Sequence, residues 1–389
     1  MKKIKLCVQL LCFCLCFSSC EKDDLVSPIK DIWNNDHGIE VSLNGKNVTL
    51  PPNGEVWMWI TETLANELIK NDVEITKVRT NQVAAHKLYK DKNGYVLSIQ
   101  LADTTEFIFH NSDYSANAYL FETAEPFEHY YNKKVYTYGS KINYGVKAIS
   151  FPLNTKDIVL KQVLQSPEEE NDFIEHVYFG NTVNNLDIEL HSLRDVEIPS
   201  DGQGSIVLKS KQFSQESLEI PEGWTVSDIE LENLKSLKIK GSLDGRISCP
   251  SLKYLELNND VFNASISCPK LEDFALNDNI EYLTETIINC PTLSDLTLPE
   301  SLKSLDISME CPIETLTIPI NVEMLWADLT QCEQLSTMYF KPLKCPYIHD
   351  ELGLGDRTIT IYIPEASYYN YQNNDDFRNF SLGHNVLTY

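Results

Sequence analysis

A short motif, apolar-x-x-apolar-x-apolar, recurs through the second half of this 389-residue chain and limits its possible folds more than any other feature. One copy reads Leu252, Leu255 and Leu257. Ten copies follow one another at intervals of 18 to 23 residues, and in two of them Gln215 or Thr358 replaces the first apolar residue. The copies end at Phe179, Ile198, Ile220, Ile239, Leu257, Leu276, Leu298, Ile318, Phe340 and Ile363. This regular spacing predicts a solenoid in which each copy supplies one short strand.

The strand geometry explains the spacing of the apolar residues within each copy. Alternate residues of a strand point to the same face, so the apolar residues of every copy can share one core. We expect the ten strands to stack in parallel, about 4.8 Å apart, into one ladder roughly 45 Å long. Prolines such as Pro221 and Pro319 directly follow several copies and should end their strands, because proline has no N–H to donate to the ladder.

The cysteines of the second half follow the same register. Five of them occupy equivalent places in successive coils, and a sixth, Cys345, is out of register. The five are Cys249, Cys268, Cys290, Cys311 and Cys332. One thiol per coil, without any C-x-x-C pair, favours a buried stack of small side chains. A zinc site and a disulfide network are the alternatives, and this spacing disfavours both.

The repeat also resembles a known family. Residues 298–305 (LPESLKSL), followed by Cys311, are similar to the repeat of BspA-like leucine-rich-repeat proteins, whose pattern is roughly I-P-x-S-V-x-x-I, then a cysteine, then L-x-x-I-x-I-P. Residues 358–364 and 377–380 resemble that family's closing strand and capping helix. The resemblance covers about residues 170–389. The chain lacks the family's usual phenylalanine before several cysteines, and its copies are irregular between about 199 and 245. The resemblance implies a cell-surface protein, and some members act as adhesins.

The first residues have the pattern of an export signal. Three lysines precede an apolar stretch, residues 6–17, which is too short to span a bilayer. Cys20 follows two serines, as the acylated cysteine of a bacterial lipoprotein does, so we predict a signal peptide at 1–19, lipid attachment at Cys20 and a tether over 20–35. The charged residues 21–24 are either a surface-export signal or part of a solvated tether. The predicted location is the outer membrane, at the cell surface, with the lipid anchor as the only membrane contact.

Residues 36–165 show no repeat and predict a small β-rich or α+β domain. The spacing of Leu64 and Leu68 predicts a helix between Thr61 and Asn71. Residues 87–89 and 95–101, joined by a turn, predict a hairpin, and residues 106–110 a third strand. The acidic segment 166–172 is the predicted boundary with the solenoid, which takes up residues 166–389. The predicted class is therefore α+β or mainly β, with a β-rich domain followed by a leucine-rich-repeat solenoid and its C-terminal cap.

The net charge and the absence of common catalytic motifs disfavour two classes of function, nucleic-acid binding and catalysis. The chain has a formal net charge of −25, which disfavours a nucleic-acid partner because phosphate backbones are also negative. It contains no G-x-S-x-G, H-E-x-x-H, Walker or C-x-x-C motif, and its eight histidines are scattered. We therefore expect a protein that is not an enzyme and that needs no cofactor or metal. A pocket with two carboxylates about 5–10 Å apart would instead point to a glycosidase.

The outward face of the predicted ladder is the better candidate site. Solenoids bind ligands along such surfaces, and tyrosines are common anchors at interfaces. The candidate ligand-binding residues are Tyr178, Tyr254, Glu256, Tyr339 and Tyr362. The alternative is that tyrosine and threonine simply suit exposed strands. The preferred ligand is a host or bacterial surface protein. A polysaccharide stacking on Trp57 and Trp59 is the other hypothesis, and it requires these two rings to be exposed and coplanar.

Overall fold

The structure is a computed structural model. It describes residues 39–43, 46–50, 55–78, 81–91, 94–102, 107–110, 121–125, 127–131, 134–138, 141–142, 146–151, 157–161, 174–179, 183–349, 352–355 and 357–389. The predictions for the signal peptide, for Cys20 and for the tether therefore fall outside the described residues, and so does the acidic segment 166–172. None of the helices in the described ranges is long and apolar enough to cross a membrane.

The N-terminal region is built mainly of strands. Its elements are β1 (Ile39–Leu43), β2 (Lys46–Leu50), β3 (Glu55–Ile60), α1 (Glu62–Lys70), β4 (Ile75–Val78), β5 (Asn81–Asp91), β6 (Gly94–Leu101), β7 (Phe107–His110), β8 (Phe121–Thr123), β9 (Phe127–Tyr131), β10 (Lys134–Tyr138), β11 (Lys141–Ile142), β12 (Val146–Ser150) and β13 (Asp157–Lys161). The predicted helix is confirmed as α1, and the predicted hairpin is confirmed as the antiparallel pair β5–β6. The predicted third strand is β7, but it pairs in parallel with β13 and not with the hairpin.

Helix α1 begins and packs as its sequence dictates. The Thr61 hydroxyl accepts a hydrogen bond from the backbone N–H of Leu64 at 3.2 Å, which satisfies one of the free donors of the first turn. Leu64 and Leu68 are fully buried, in the same core as Val56 and Met58 of β3. That core continues without a break into the solenoid. The helix therefore covers the apolar interior at the first end of the coils.

The second half of the chain is a solenoid of about ten turns, as predicted. Its strands are β14 (His176–Tyr178), β15 (Asn185–Glu189), β16 (Asp195–Val196), β17 (Gly204–Ser210), β18 (Ser217–Ile220), β19 (Trp224–Leu231), β20 (Ser236–Ile239), β21 (Ser242–Ile247), β22 (Tyr254–Leu257), β23 (Val261–Phe262), β24 (Ser265–Ser267), β25 (Asp273–Leu276), β26 (Tyr282–Asn289), β27 (Ser304–Glu310), β28 (Thr315–Ile318), β29 (Met324–Asp328), β30 (Thr337–Phe340), β31 (Tyr347–His349), β32 (Thr360–Ile363) and β33 (Asn385–Thr388).

Most coils contain two strands, where the motif predicts one. The second strands form their own parallel sheet, which we call the long ladder. It runs in the order β31-β29-β27-β26-β23-β21-β19-β17-β15-β13-β7, with β24 beside β21 and β26. It is continuous from the N-terminal region to the last coils. The long ladder, rather than the motif strands, is the unbroken element of the solenoid.

The motif strands, which we call the short ladder, do not form one continuous sheet as predicted. They belong to three sheets: β14-β16, which extends the N-terminal sheet through β12; β18-β20-β22-β25; and β28-β30-β32-β33. The copy that ends at Leu298 forms no strand. Its apolar residues Leu293, Leu296 and Leu298 are still buried. The motif therefore predicts which side chains enter the core more reliably than which backbone segments pair.

The cysteine stack is confirmed as a set of buried side chains. All six cysteines between Cys249 and Cys345 are free thiols and buried. The Cys332 thiol donates to the Met309 carbonyl at 3.4 Å, and Cys311 reaches the Ile288 carbonyl at 3.8 Å. Cys249 and Cys290 likewise reach a carbonyl of the previous coil, so four of the thiols do so while their sulfur packs in the core. Burial raises the pKa of Cys249 to about 12, so this thiol stays protonated at neutral pH.

The last coils carry a helical cap, which the sequence predicts. A 3₁₀ turn (Glu365–Ser367), α2 (Tyr368–Gln372) and α3 (Asp375–Ser381) lead to β33, which pairs with β32. The Tyr371 hydroxyl donates to the Pro342 carbonyl at 2.8 Å, and the Cys345 N–H donates to Asn370 at 2.7 Å. Cys345, which has no place in the repeat register, therefore lies where the cap meets the coils.

Candidate binding site

The short ladder opens between β16 and β18, at the irregular motif copy that contains Gln215. The Gln215 side chain accepts a hydrogen bond from the Val196 N–H at 3.1 Å and donates one to the Ser217 carbonyl at 2.6 Å. These are backbone groups of the two facing strands, and the amide bridges them. Because the amide stands between the strands, β16 pairs with β14 only and β18 pairs with β20 only within the described strands. At this copy the Gln215 amide thus takes the place of direct pairing between the two strands.

A cleft of about 440 Å³ lies at this interruption, which is the size range of small-ligand sites. We call it the junction cleft. Its lining residues are Val177, Tyr178, Asp195, Val196, Glu197, Ile198, Ser200, Gln215, Ser217, Leu218, Glu219 and Pro221. The lining combines apolar side chains, hydroxyls and three carboxylates, and no lysine, arginine or histidine belongs to it.

Tyr178, one of the predicted ligand-binding residues, lines this cleft but is not the exposed anchor that the sequence predicts. It is only 6 % exposed, because the N-terminal sheet continues past β14 and places Trp57 and Trp59 beside it. Its ring centroid lies 5.4 Å from that of Trp57 and 5.7 Å from that of Trp59. The His176 ring is parallel to that of Tyr178, with 6.4 Å between the ring centroids. Aromatic neighbours therefore hold Tyr178 in place.

Charged groups surround the same strand end. His176 Nδ1 lies 2.8 Å from a carboxylate oxygen of Asp195, on the neighbouring strand. Arg194 pairs with Glu175 at 3.2 Å. Burial, with the nearby Asp195 carboxylate, raises the pKa of Tyr178 above its usual range, so its hydroxyl keeps its proton at neutral pH.

Tyr254 and Glu256, two further predicted residues, lie on the outward face as expected and contact each other. The Tyr254 hydroxyl donates to the Glu256 carboxylate at 2.8 Å, and Lys238 of the previous coil pairs with Glu256 at 2.6 Å. The hydrogen bond raises the pKa of Tyr254 to about 12, and the lysine lowers the pKa of Glu256. Their polar atoms therefore already have partners within the protein and are less available to a ligand.

Tyr339 and Tyr362, the remaining predicted residues, lie together on the last sheet of the short ladder. Their rings stack at 4.7 Å with an angle of 9° between the planes. Tyr389 packs against Tyr339 edge-on at 6.2 Å, and its hydroxyl donates to the Phe340 carbonyl. Tyr339 and Tyr362 are half-buried, while Tyr389 is 55 % exposed.

A group of more exposed aromatic and apolar side chains lies on the long ladder, and the sequence analysis missed it. We call it the aromatic patch, and it consists of Tyr282, Met324, Trp326 and Tyr347. Met324, Trp326 and Tyr347 are 55 %, 50 % and 53 % exposed. The strand register aligns Met324 with Tyr347 on the next coil, and Trp326 with the half-buried His349, whose ring lies 4.7 Å away. Exposed Met324 and Trp326 alternate with buried Leu325 and Ala327, but all four residues are apolar, so the sequence alone does not show which of them face outward.

The two tryptophans proposed for sugar stacking do not have the required geometry. Trp57 is 2 % exposed, and its ring plane makes an angle of 53° with that of Trp59. A sugar ring needs an accessible aromatic face, which Trp57 does not offer. This arrangement counts against glycan binding by this pair.

Metal binding finds no support within the described ranges, where no three histidine, cysteine or acidic side chains are grouped to hold an ion. A comparison of the chain with protein-family models found no match, and a comparison with curated proteins found none either.

Proposed function

We propose that this chain is a lipoprotein of the outer membrane, displayed at the cell surface, that binds a protein ligand on its solenoid. The leader pattern and Cys20 support the anchoring, and the resemblance to BspA-like leucine-rich-repeat proteins supports the display. The ligand is a surface protein of a host or of a neighbouring bacterium.

The exposed aromatic patch carries this proposal. Tryptophan, tyrosine and methionine are enriched in protein interfaces, and a few such residues supply most of the binding energy. Here they lie on paired strands of the long ladder, so a ligand meets a surface that is already ordered. Asp306 lies beside Trp326 in the strand register, and the chain carries a large negative charge. The ligand surface that complements the patch is apolar with basic residues around it.

One binding screen tests the proposal. The chain from residue 21 onward is applied to an array that carries both extracellular proteins and polysaccharides. We expect a protein to bind, and Trp326→Ala to weaken that binding by about 30-fold or more, as for an interface anchor. Tyr369→Ala, which removes a 79 % exposed aromatic ring from the cap, is the matched control and should leave binding unchanged.

The same screen separates the other candidate surfaces. A protein ligand that is lost on Tyr339→Ala with Tyr362→Ala, but not on Trp326→Ala, would move the site to the short ladder. A ligand that is a polysaccharide and is insensitive to all three changes would contradict the proposal.

A further inference from the structure

The junction cleft contains a buried polar side chain whose hydroxyl has no partner. Tyr178 is 6 % exposed and lines the cleft, yet its hydroxyl makes no hydrogen bond within the part of the chain that the structure describes. The hydroxyl oxygen itself is not fully enclosed, so it can accept a hydrogen bond from a ligand. Trp57 and His176 both pack against the ring, which limits its movement beside the cleft.

The charges at the cleft have one sign. Asp195, Glu197 and Glu219 line it, and only Glu219 has a lysine partner, Lys240, which lies outside the lining. Asp195 faces His176, and Glu197 has no ion pair among the described residues. Asp195 is largely shielded from water, whereas Glu197 and Glu219 are exposed, and a shielded carboxylate favours a positively charged neighbour. The cleft therefore complements a cation.

The residues that line the cleft indicate what kind of cation fits. Apolar side chains of Ile198 and Leu218 contribute to the lining beneath the carboxylates, and these suit an alkyl stem. An ammonium group has three donors, and Asp195, Glu197 and the Tyr178 oxygen offer three acceptors.

We infer that the junction cleft is a binding site for a primary ammonium group on a short alkyl stem. Such a group is presented either by a lysine side chain of a protein or by a free diamine. The site is on the short ladder and the aromatic patch is on the long ladder, so this inference does not depend on the proposed function.

Titration calorimetry with defined probes tests the inference on the chain from residue 21 onward. The probes are Nα-acetyl-lysine methylamide, putrescine, and Nα-acetyl-norleucine methylamide, which keeps the alkyl stem but lacks the amine. We expect saturable binding of at least one amine, weaker binding at higher salt, and no measurable binding of the norleucine probe. Preference for the lysine probe identifies a protein side chain as the source, and preference for putrescine identifies a free diamine.

Three variants connect the binding to the cleft. Glu197→Gln should weaken amine binding by about 10-fold or more because it removes the negative charge, and Tyr178→Phe by several-fold because it removes the hydroxyl acceptor; both keep the shape of the side chain. Glu314→Gln, an exposed carboxylate on a later coil, is the matched control and should have no effect. Circular dichroism and the thermal midpoint show whether each variant keeps its fold.

Several results would overturn the inference. These are equal affinity for the norleucine and lysine probes, amine binding that Glu197→Gln leaves unchanged, and no saturable binding of either amine. Binding of a neutral methyl glycoside in place of the amines would also overturn it and would make the cleft a sugar site. Trp326→Ala should leave amine binding intact, so a failed amine test and a failed protein screen can be told apart.

Discussion

The regular middle of the short ladder and the junction cleft differ at one motif position. In the middle coils this position holds Leu234 and Leu252, both fully buried, and β18, β20 and β22 pair without interruption. At the cleft the same position holds Gln215, whose amide bridges two strands that do not pair. At the cleft the departure from the motif coincides with a gap between strands, whereas Thr358 at the same position of a later copy leaves β30 and β32 paired, so the bridging amide of Gln215, and not polarity alone, distinguishes the cleft.

The largest expected effect on stability comes from a cavity in the regular coils of the short ladder. Leu255→Ala removes a fully buried side chain from β22 and leaves a cavity that the neighbouring coils close only in part. We expect the free energy of unfolding to fall by about 2–5 kcal/mol. Urea unfolding measures the change. A loss under about 1 kcal/mol would show that the middle coils repack, contrary to this comparison.

The next largest effect on stability is expected from replacing Gln215 at the junction cleft. Gln215→Ala leaves the Val196 N–H and the Ser217 carbonyl without the amide, so we expect a loss of about 1–3 kcal/mol in the free energy of unfolding. Gln215→Leu restores the motif, and β16 and β18 should then pair directly, so its stability should stay within about 1 kcal/mol of the unchanged chain. Both variants are compared by the same unfolding experiment. If the leucine variant is less stable than the alanine variant, the Gln215 amide is not what keeps β16 and β18 from pairing.

A smaller effect is expected in the pH dependence of stability, and it comes from the buried cysteine stack on the regular side. The Cys249 thiol has a pKa of about 12 when folded, against an ordinary value of 9.0. Above pH 9 the unfolded chain loses this proton while the folded chain keeps it, so stability falls as the pH rises from about 9 toward 12. One thiol contributes about 0.8 kcal/mol of loss between pH 7.5 and 9.5. Cys249→Ala should lack this contribution, and the difference in slope between the two proteins measures it.

The smallest effect is expected at surface ion pairs between coils. Lys253 pairs with Glu272 of the next coil at 2.9 Å, and both side chains are more than half exposed. Water and salt screen such a pair, so Lys253→Ala should change the free energy of unfolding by less than about 0.5 kcal/mol. A change comparable to that of Leu255→Ala would mean that surface charges, and not the core, hold the coils together.

Local patterns made much of this fold predictable. The motif identifies the buried residues of the short ladder, and a threonine cap with apolar spacing identifies α1. The long ladder could not be predicted in the same way, because its strands vary in length and shift in register, as β19 and β21 do between Val226 and Asp228. Their positions depend on neighbouring coils rather than on a repeated spacing.

The site was less predictable than the fold. The outward direction of Tyr254 and Tyr339 follows from strand alternation, whereas the burial of Tyr178 depends on Trp57, which is more than a hundred residues away in the sequence. Gln215 was visible as an imperfect copy, but only the structure relates it to an open sheet. The aromatic patch lies between motif copies, where an analysis that follows the motif does not look.

The sharing of strands across the two halves has a consequence for self-association. β12 covers the edge of β14, and β13 covers the edge of β15. A fragment that starts at residue 166 would present both edges unpaired, and open edges of parallel coils invite a second copy to add end to end. In the whole chain the N-terminal strands β12 and β13 keep these two edges paired, and at the other end β33 pairs with β32.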